Sequence, residues 1–312
     1  MDISVIAHCD WSIDRSKRWM TVAVSKDGRW IIAMPEPVGD TASLIDRLQH
    51  RAQSSGAVLI GFDFPIGLPE WYGRQTGFAS FRDALAGFGR GPWAEWYDVA
   101  DHRDRISIRR PFYPMRPGGT SRAHLFDALG IDTAEDLLRR CERATRDRQA
   151  ACMLFWTLGG NQVGKAALAG WREIILPRLG EVGLWPFDGN LPKLVTEYPV
   201  VLAETYPGDV YGQLGIPRRP AWSKRQQSGR RAVGSYLMRW AIGHRHVDTS
   251  CIHSLIENGF GAGKTGEDRF DATIGLLGML DVATDYRSEG APGDEAITIW
   301  EGWILGQAGS AG

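Results

Sequence analysis

Residues 4–34 read SVIAHCDWSIDRSKRWMTVAVSKDGRWIIAM. Ser4 to Cys9 is a short apolar run of the kind that forms a buried strand, and Asp10 follows it. Trp19 to Val24 and Trp30 to Met34 are two further runs of strand length. Asp27-Gly28 lies between them, the pair a two-residue hairpin prefers because both central positions need positive φ. The chain therefore opens strand, strand, strand, with at least the last two antiparallel. Working outward, Leu44, Ile45, Leu48 and Ala52 recur at helical spacing behind a cap at Asp40 or Thr41. Ala57 to Phe62 is another strand-like run and ends in Asp63. A strand that follows a helix is most simply reached by a parallel crossover.

From Pro65 to about Leu191 the texture changes. Gly, Pro and Arg become frequent and the apolar periods are helical, as in Val163 to Arg178, where Val163, Ala167, Trp171 and Ile174 share a face. This reads as a large, mostly helical insertion over 70–192, between the core segments 1–69 and 193–312. Val200 to Ala203 returns to strand and ends in Glu204. Helices are expected around Val233 to Ala241, Ile252 to Glu257 and Glu267 to Ala283, and a terminal strand over Ile297 to Leu305. Without the insertion the order is three strands, helix, strand, strand, helices. That is the order of an α/β ribonuclease H-like fold, a mixed central β-sheet flanked by helices.

The 312 residues allow one large domain with an insertion or two small domains. With 43% hydrophobic residues the chain can bury a sizeable core without disulfides. Its thirteen Trp suit packing between layers. A net charge of −1 leaves no global basic field of the kind that drives non-specific DNA binding. Positive charge is nevertheless clustered. Arg103 to Arg122 holds six Arg around Phe112 and Tyr113, and Arg218 to Arg231 holds five Arg, Lys224 and Trp222. Such loops either meet phosphates or form a solvated, salt-bridged surface. Cys9, Cys141, Cys152 and Cys251 show neither close pairing nor metal-ligand spacing, so no disulfide framework or zinc site is expected. No leader and no membrane-spanning run is visible, so a cytoplasmic protein is expected. Oligomeric state leaves no signal.

Three strands end in an acid: Asp10, Asp63 and Glu204. In α/β sheets the ligand crevice lies outside the carboxyl ends of the strands, where these side chains would meet. In GEDRFDATIGLLGML, Asp268, Asp271, Gly275 and Gly278 fall on one helical face. Glycine inside a helix costs about 1 kcal/mol relative to alanine, which close approach to a neighbouring element would offset. Glu267 reads as complementing the helix N-terminus, whereas Asp271, and with it Asp268, is placed to reach the crevice. Converging carboxylates raise one another's pKa, and a hard divalent cation, Mg²⁺ or Mn²⁺, relieves this. Two such ions can hold the attacking and leaving oxygens of a phosphoryl displacement. Strand alternation is expected to turn His8 away from Asp10, as a core or surface histidine.

The segments VIAHCDWS, LIGFDFPIGLP, LAETYP and GEDRFDA resemble those of the predicted ribonuclease H-like nucleases grouped as domain-of-unknown-function family 429. The resemblance covers the sheet-forming parts of the chain. It implies a ribonuclease H-like fold and divalent-metal phosphodiester cleavage of a nucleic acid or small phosphate-bearing substrate. It also implies that Asp10, Asp63, Glu204 and Asp271 occupy the family's acidic positions. Two other functions fit the same fold. Actin-like phosphotransferases act on small molecules but normally need two such domains, and one start is found here. A non-catalytic binding protein would keep the acids as a structural metal site.

Gly159 to Ala166 fits G-x-x-x-x-G-K, but Ala166 replaces the hydroxyl residue that binds Mg²⁺ in a P-loop, and Asn258 to Thr265 lacks the first glycine. Neither is read as a nucleotide-hydrolysing loop. Lys165 could still mark an anion site at a helix start, with a plain helix cap as the alternative. Lys264, just before the acidic helix, could neutralise substrate phosphate. The insertion leaves the sheet just after Asp63. It is therefore expected to cover the crevice, with Lys165, Arg109, Arg110 and Arg116 facing it. The alternative is a layer on the back of the sheet held by Trp156 and Trp171.

Overall fold

Residues 3–32 form a strand meander in the computed structural model, which describes residues 1–52, 56–144, 150–158, 163–217 and 221–309. Strand β1 is Ile3–Asp10, β2 Trp19–Lys26 and β3 Arg29–Ile32. The turn between β2 and β3 has positive φ at Asp27 and Gly28, as the Asp-Gly pair requires. The remaining strands are β4 Glu36–Pro37, β5 Ala57–Phe62, β6 Gly183–Leu184, β7 Val200–Glu204 and β8 Val247–Asp248. All eight join one mixed sheet of order β6-β7-β5-β1-β2-β3-β8, with β4 paired to β2. β1, β5, β7 and β6 run parallel, and β2 is antiparallel to both β1 and β3. Asp10, Asp63 and Glu204 consequently lie at one end of the sheet.

The two faces of the sheet are buried under different layers. Ile6, Leu59, Val201 and Ala203 share a core with the long helix Thr265–Ala283. Val5, Ala7, Cys9, Val58, Ile60, Phe62 and Leu202 face the other way, toward helix Leu44–Gln49 and residues of the 70–192 segment. The long helix is buried continuously from Phe270 to Ala283, because β1 and β2 lie on one side of it and helix Pro207–Gln213 on another. Its glycines explain this close packing. A Cβ at Gly275 would overlap the His8 ring on β1, and one at Gly278 would overlap Val210 of the outer helix. Helices Gly234–Gly243 and His253–Glu257 complete this layer.

The 70–192 segment is less regular than its periodicity suggests. It holds the short helices Glu70–Gln75, Phe81–Gly87, Ala123–Leu129 and Val163–Gly170, with single 3-10 turns and loops between them. It also supplies β6, an edge strand of the sheet. Aromatic stacking organises its interior: Trp96 stacks on Phe88 and on Trp171, and the Trp171 indole donates to the Pro65 carbonyl at 2.8 Å. Most of the segment's buried side chains thus pack on the sheet face opposite the long helix, with Trp171 fully buried and Trp156 partly so, while Cys141, Trp185 and Leu191 join the core on the helix side. The Gly159 to Gln162 turn lies outside the described residues, as does Arg218. The expected terminal strand is absent too: Ile297–Glu301 is a π-helical turn, and only Ile304 bridges to Glu204. The four cysteines are free, and no helix among the described residues is long and apolar enough to cross a membrane.

Candidate functional site

Asp10 ends β1, and Asp63 directly follows the parallel neighbour β5. The Trp11 amide donates to Asp63 Oδ1 at 2.6 Å, and the Asp10 carboxyl lies close enough to act on the Asp63 carboxyl. Both side chains keep some open surface, yet the protein packed around the carboxyls disfavours charge on them. Burial pushes Asp10 well above the carboxylate range, and the charges of Asp63, Asp271 and Asp268 push it further. Burial likewise raises Asp63 to about 7, with Asp271 adding to the effect, while the Trp11 amide and the Asp10 side chain oppose it. Asp268, on the first turn of the long helix, rises to about 6 through burial and the neighbouring Glu267 and Asp271. Asp63, Asp271 and Asp268 thus all lie near enough to act electrostatically on Asp10.

Asp271 is held from two sides. Tyr211, on the helix that follows β7, donates its hydroxyl to Oδ1. Lys224 Nζ lies 2.5 Å from Oδ2 and 3.2 Å from Glu267 Oε1. Against the cost of its burial, the charges of Asp271, Glu267 and Asp10 hold this ammonium protonated, its pKa above the usual lysine range. The backbone beneath it is clamped by buried Arg230, which donates to the carbonyls of Lys224, Gly259 and Gly261. Sequence reasoning placed Lys224 in a basic loop and did not bring it to the acids. Lys17, whose charge acts on Asp268, was also missed.

Glu204 does not join the aspartates. In the sheet it stands opposite Phe62, and alternation turns it to the face of the 70–192 segment. Its oxygens accept from Arg139 Nη1 and Nη2, both at 2.6 Å, and from the Ile66 amide at 2.7 Å. Arg139 also donates to Glu142 at 2.8 Å, and neighbouring Arg140 reaches Asp294 at 2.6 Å and Glu70 at 3.1 Å. Glu204 is thus the anchor of an ion-pair network that ties the 70–192 segment to the sheet. His8 departs from expectation in the opposite sense. It is two residues before Asp10, so both point to the long-helix side of β1. Its ring lies beneath Gly275, Nδ1 is 3.2 Å from the Ala272 carbonyl, and burial lowers its pKa to about 3, which keeps it neutral.

The basic residues expected at the crevice make their contacts elsewhere. Lys165 donates to the Met115 carbonyl at 3.3 Å. Arg109 lies over the Trp93 ring, and Arg110 reaches the Val99 carbonyl at 3.4 Å. Arg116 is exposed in the same segment. Lys264 is exposed at the N-terminal end of the long helix, three residues before Glu267.

Among the described residues no three His, Cys, Asp or Glu side chains are grouped so as to hold a metal ion. The donor chemistry nonetheless fits a hard divalent cation: the neighbouring groups are carboxylates, burial disfavours their charge, and Lys224 bonds only Asp271 and Glu267. No family model, curated protein or solved structure matches this chain.

Proposed function

We propose that the protein is a ribonuclease H-like, divalent-metal-dependent hydrolase of phosphodiesters, nuclease-like in its substrate class. The observation that carries this reading is the nearness of Asp63, Asp271 and Asp268 to Asp10, from two adjacent parallel strands and one packed helix, at the carboxyl end of the sheet. The sheet order, with an antiparallel β2 beside β1 and parallel β5 and β7 on its other side, supports the fold assignment. The resemblance to family 429 points the same way.

Asp10, Asp63 and Asp271 would hold Mg²⁺ or Mn²⁺, with Asp268 at the rim. When bound, such an ion acidifies an attacking water and neutralises phosphate charge. The chain's own part is positional. The Trp11 amide fixes Asp63, and Tyr211 fixes Asp271. Lys17 and Lys224 add positive potential where the acids alone would repel a phosphate. Glu204 has no part in this scheme, since it lies on the other face of the sheet, bonded to buried Arg139.

The test is turnover of a panel of single- and double-stranded DNA and RNA, with and without Mn²⁺. Cleavage that requires the ion and falls to background in Asp10→Asn is the expected result. A second reading is favoured by one observation: Lys224 already neutralises Asp271 without any metal, as a non-catalytic binding protein would need. Tight Mn²⁺ binding with no turnover of any substrate would select it.

A further inference from the structure

We propose that Lys224 is a tethered counter-ion of the aspartate cluster, and that its ammonium and a divalent cation occupy Asp271 in turn. This inference rests on the metal-dependent reading above and adds to it how the site is filled when metal is absent.

Both oxygens of Asp271 are already engaged, Oδ1 by the Tyr211 hydroxyl and Oδ2 by Lys224. For Asp271 to ligate a cation, one donor must yield. Tyr211 brings a neutral hydroxyl that does not repel an incoming ion. Lys224 brings a full positive charge 2.5 Å from the same carboxylate, so electrostatics selects it as the group displaced.

The local architecture lets the side chain move while its backbone stays. Arg230 clamps the Lys224 carbonyl. Two residues earlier, Trp222 is buried, donates to the Pro217 carbonyl at 2.6 Å and packs its ring edge-on against Tyr211 and Phe270. The lysine stem between these anchors has four rotatable carbons, and 27% of its side chain is open to solvent.

A second seat lies within reach. Glu267 is one turn before Asp271 on the same helix face, and its Oε1 is 3.2 Å from Lys224 Nζ. Glu267 is also the more exposed of the two acids, at 29% against 5%. An ammonium expelled from Asp271 keeps a carboxylate partner by shifting outward to Glu267. This gives Glu267 a role beyond complementing the helix N-terminus.

The mechanism predicts competition, so removing the ammonium should tighten metal binding. Free Mn²⁺ is followed by electron paramagnetic resonance during titration of the chelator-stripped wild-type protein and of Lys224→Met. The expected result is a Kd for Mn²⁺ lower in the variant by on the order of tenfold, the size of effect that one modest charge contact supports. A variant that binds Mn²⁺ no more tightly than a wild type that does bind it overturns this inference and leaves the metal reading standing. Absence of Mn²⁺ binding in both proteins overturns both.

Because Lys224→Met could misfold, the wild-type protein provides a second readout. Its lysines are acylated briefly with an amine-reactive ester and quantified by mass spectrometry. Acylation of Lys224 should rise several-fold when Mn²⁺ is added, while exposed Lys193 stays constant. Lys224 acylation that is unchanged or falls in the presence of bound Mn²⁺ contradicts the exchange.

Discussion

Two carboxylate clusters lie at the same end of one sheet, on adjacent strands, and meet their cations differently. Around Glu204, Arg139 is fully buried and contributes two hydrogen bonds to Glu204 and two to Glu142, so one guanidinium engages both carboxylates directly. Around Asp10 and Asp63, the nearest ammonium, Lys224, bonds Asp271 and Glu267 and acts on Asp10 and Asp63 only through its charge. The difference separates structure from site. Acids bonded directly by a buried guanidinium serve as a joint, whereas Asp10 and Asp63, with no cation bonded to either, keep an unmet demand for positive charge.

The largest expected effect breaks the arginine-held cluster. Arg139→Met leaves Glu204 and Glu142 buried without their partner and should cost about 3–5 kcal/mol in urea unfolding. The triple change Arg139→Met, Glu204→Gln, Glu142→Gln should recover more than half of that loss. Turnover of any substrate found should survive in the triple variant, since this cluster is a joint. A mild effect of Arg139→Met would dissolve the contrast between the two clusters.

A smaller effect sharpens the aspartate cluster. The folded pKa of Asp63 lies above its unfolded value, so its contribution to stability is complete at low pH. That contribution is lost as pH rises from 3.8 to about 7. Burial displaces Asp10 and Asp268 in the same direction. Metal-free wild-type protein should therefore lose stability relative to Asp63→Asn across this window, and added Mn²⁺ should reduce the difference. Parallel stability–pH curves for the two proteins would show that Asp63 carries no such strain.

The fold was legible where local chemistry is decisive. The Asp-Gly turn fixed the hairpin, and apolar runs of strand length marked β1, β2, β3, β5 and β7. The spaced glycines of the long helix foretold its close packing, although only Gly275 meets the sheet and Gly278 meets Val210. The site was legible in part, because a strand-end acid reveals its end of the sheet but not its face. Glu204 looks like Asp63 in sequence, and only its register opposite Phe62 and the distant Arg139 assign it to the other cluster. Counting by two along β1 would have put His8 on the side of Asp10. Lys224 was hidden for a different reason: its 47-residue separation from Asp271 is bridged by tertiary packing of Trp222 and Arg230, which no local pattern encodes. Residues 297–305 misled because an apolar run of that length suits a strand or a buried helical turn equally.

The central claim is that the aspartates, and not the Glu204 cluster, form the cation site. A crystal structure of chelator-stripped protein soaked in Mn²⁺, with anomalous scattering locating the metal, tests it most directly. The account predicts a manganese peak ligated by Asp10 and Asp63, with Asp271 in its shell and the Lys224 ammonium moved toward Glu267. Manganese at Glu204, or no manganese among the aspartates at a concentration that saturates binding in solution, would contradict it.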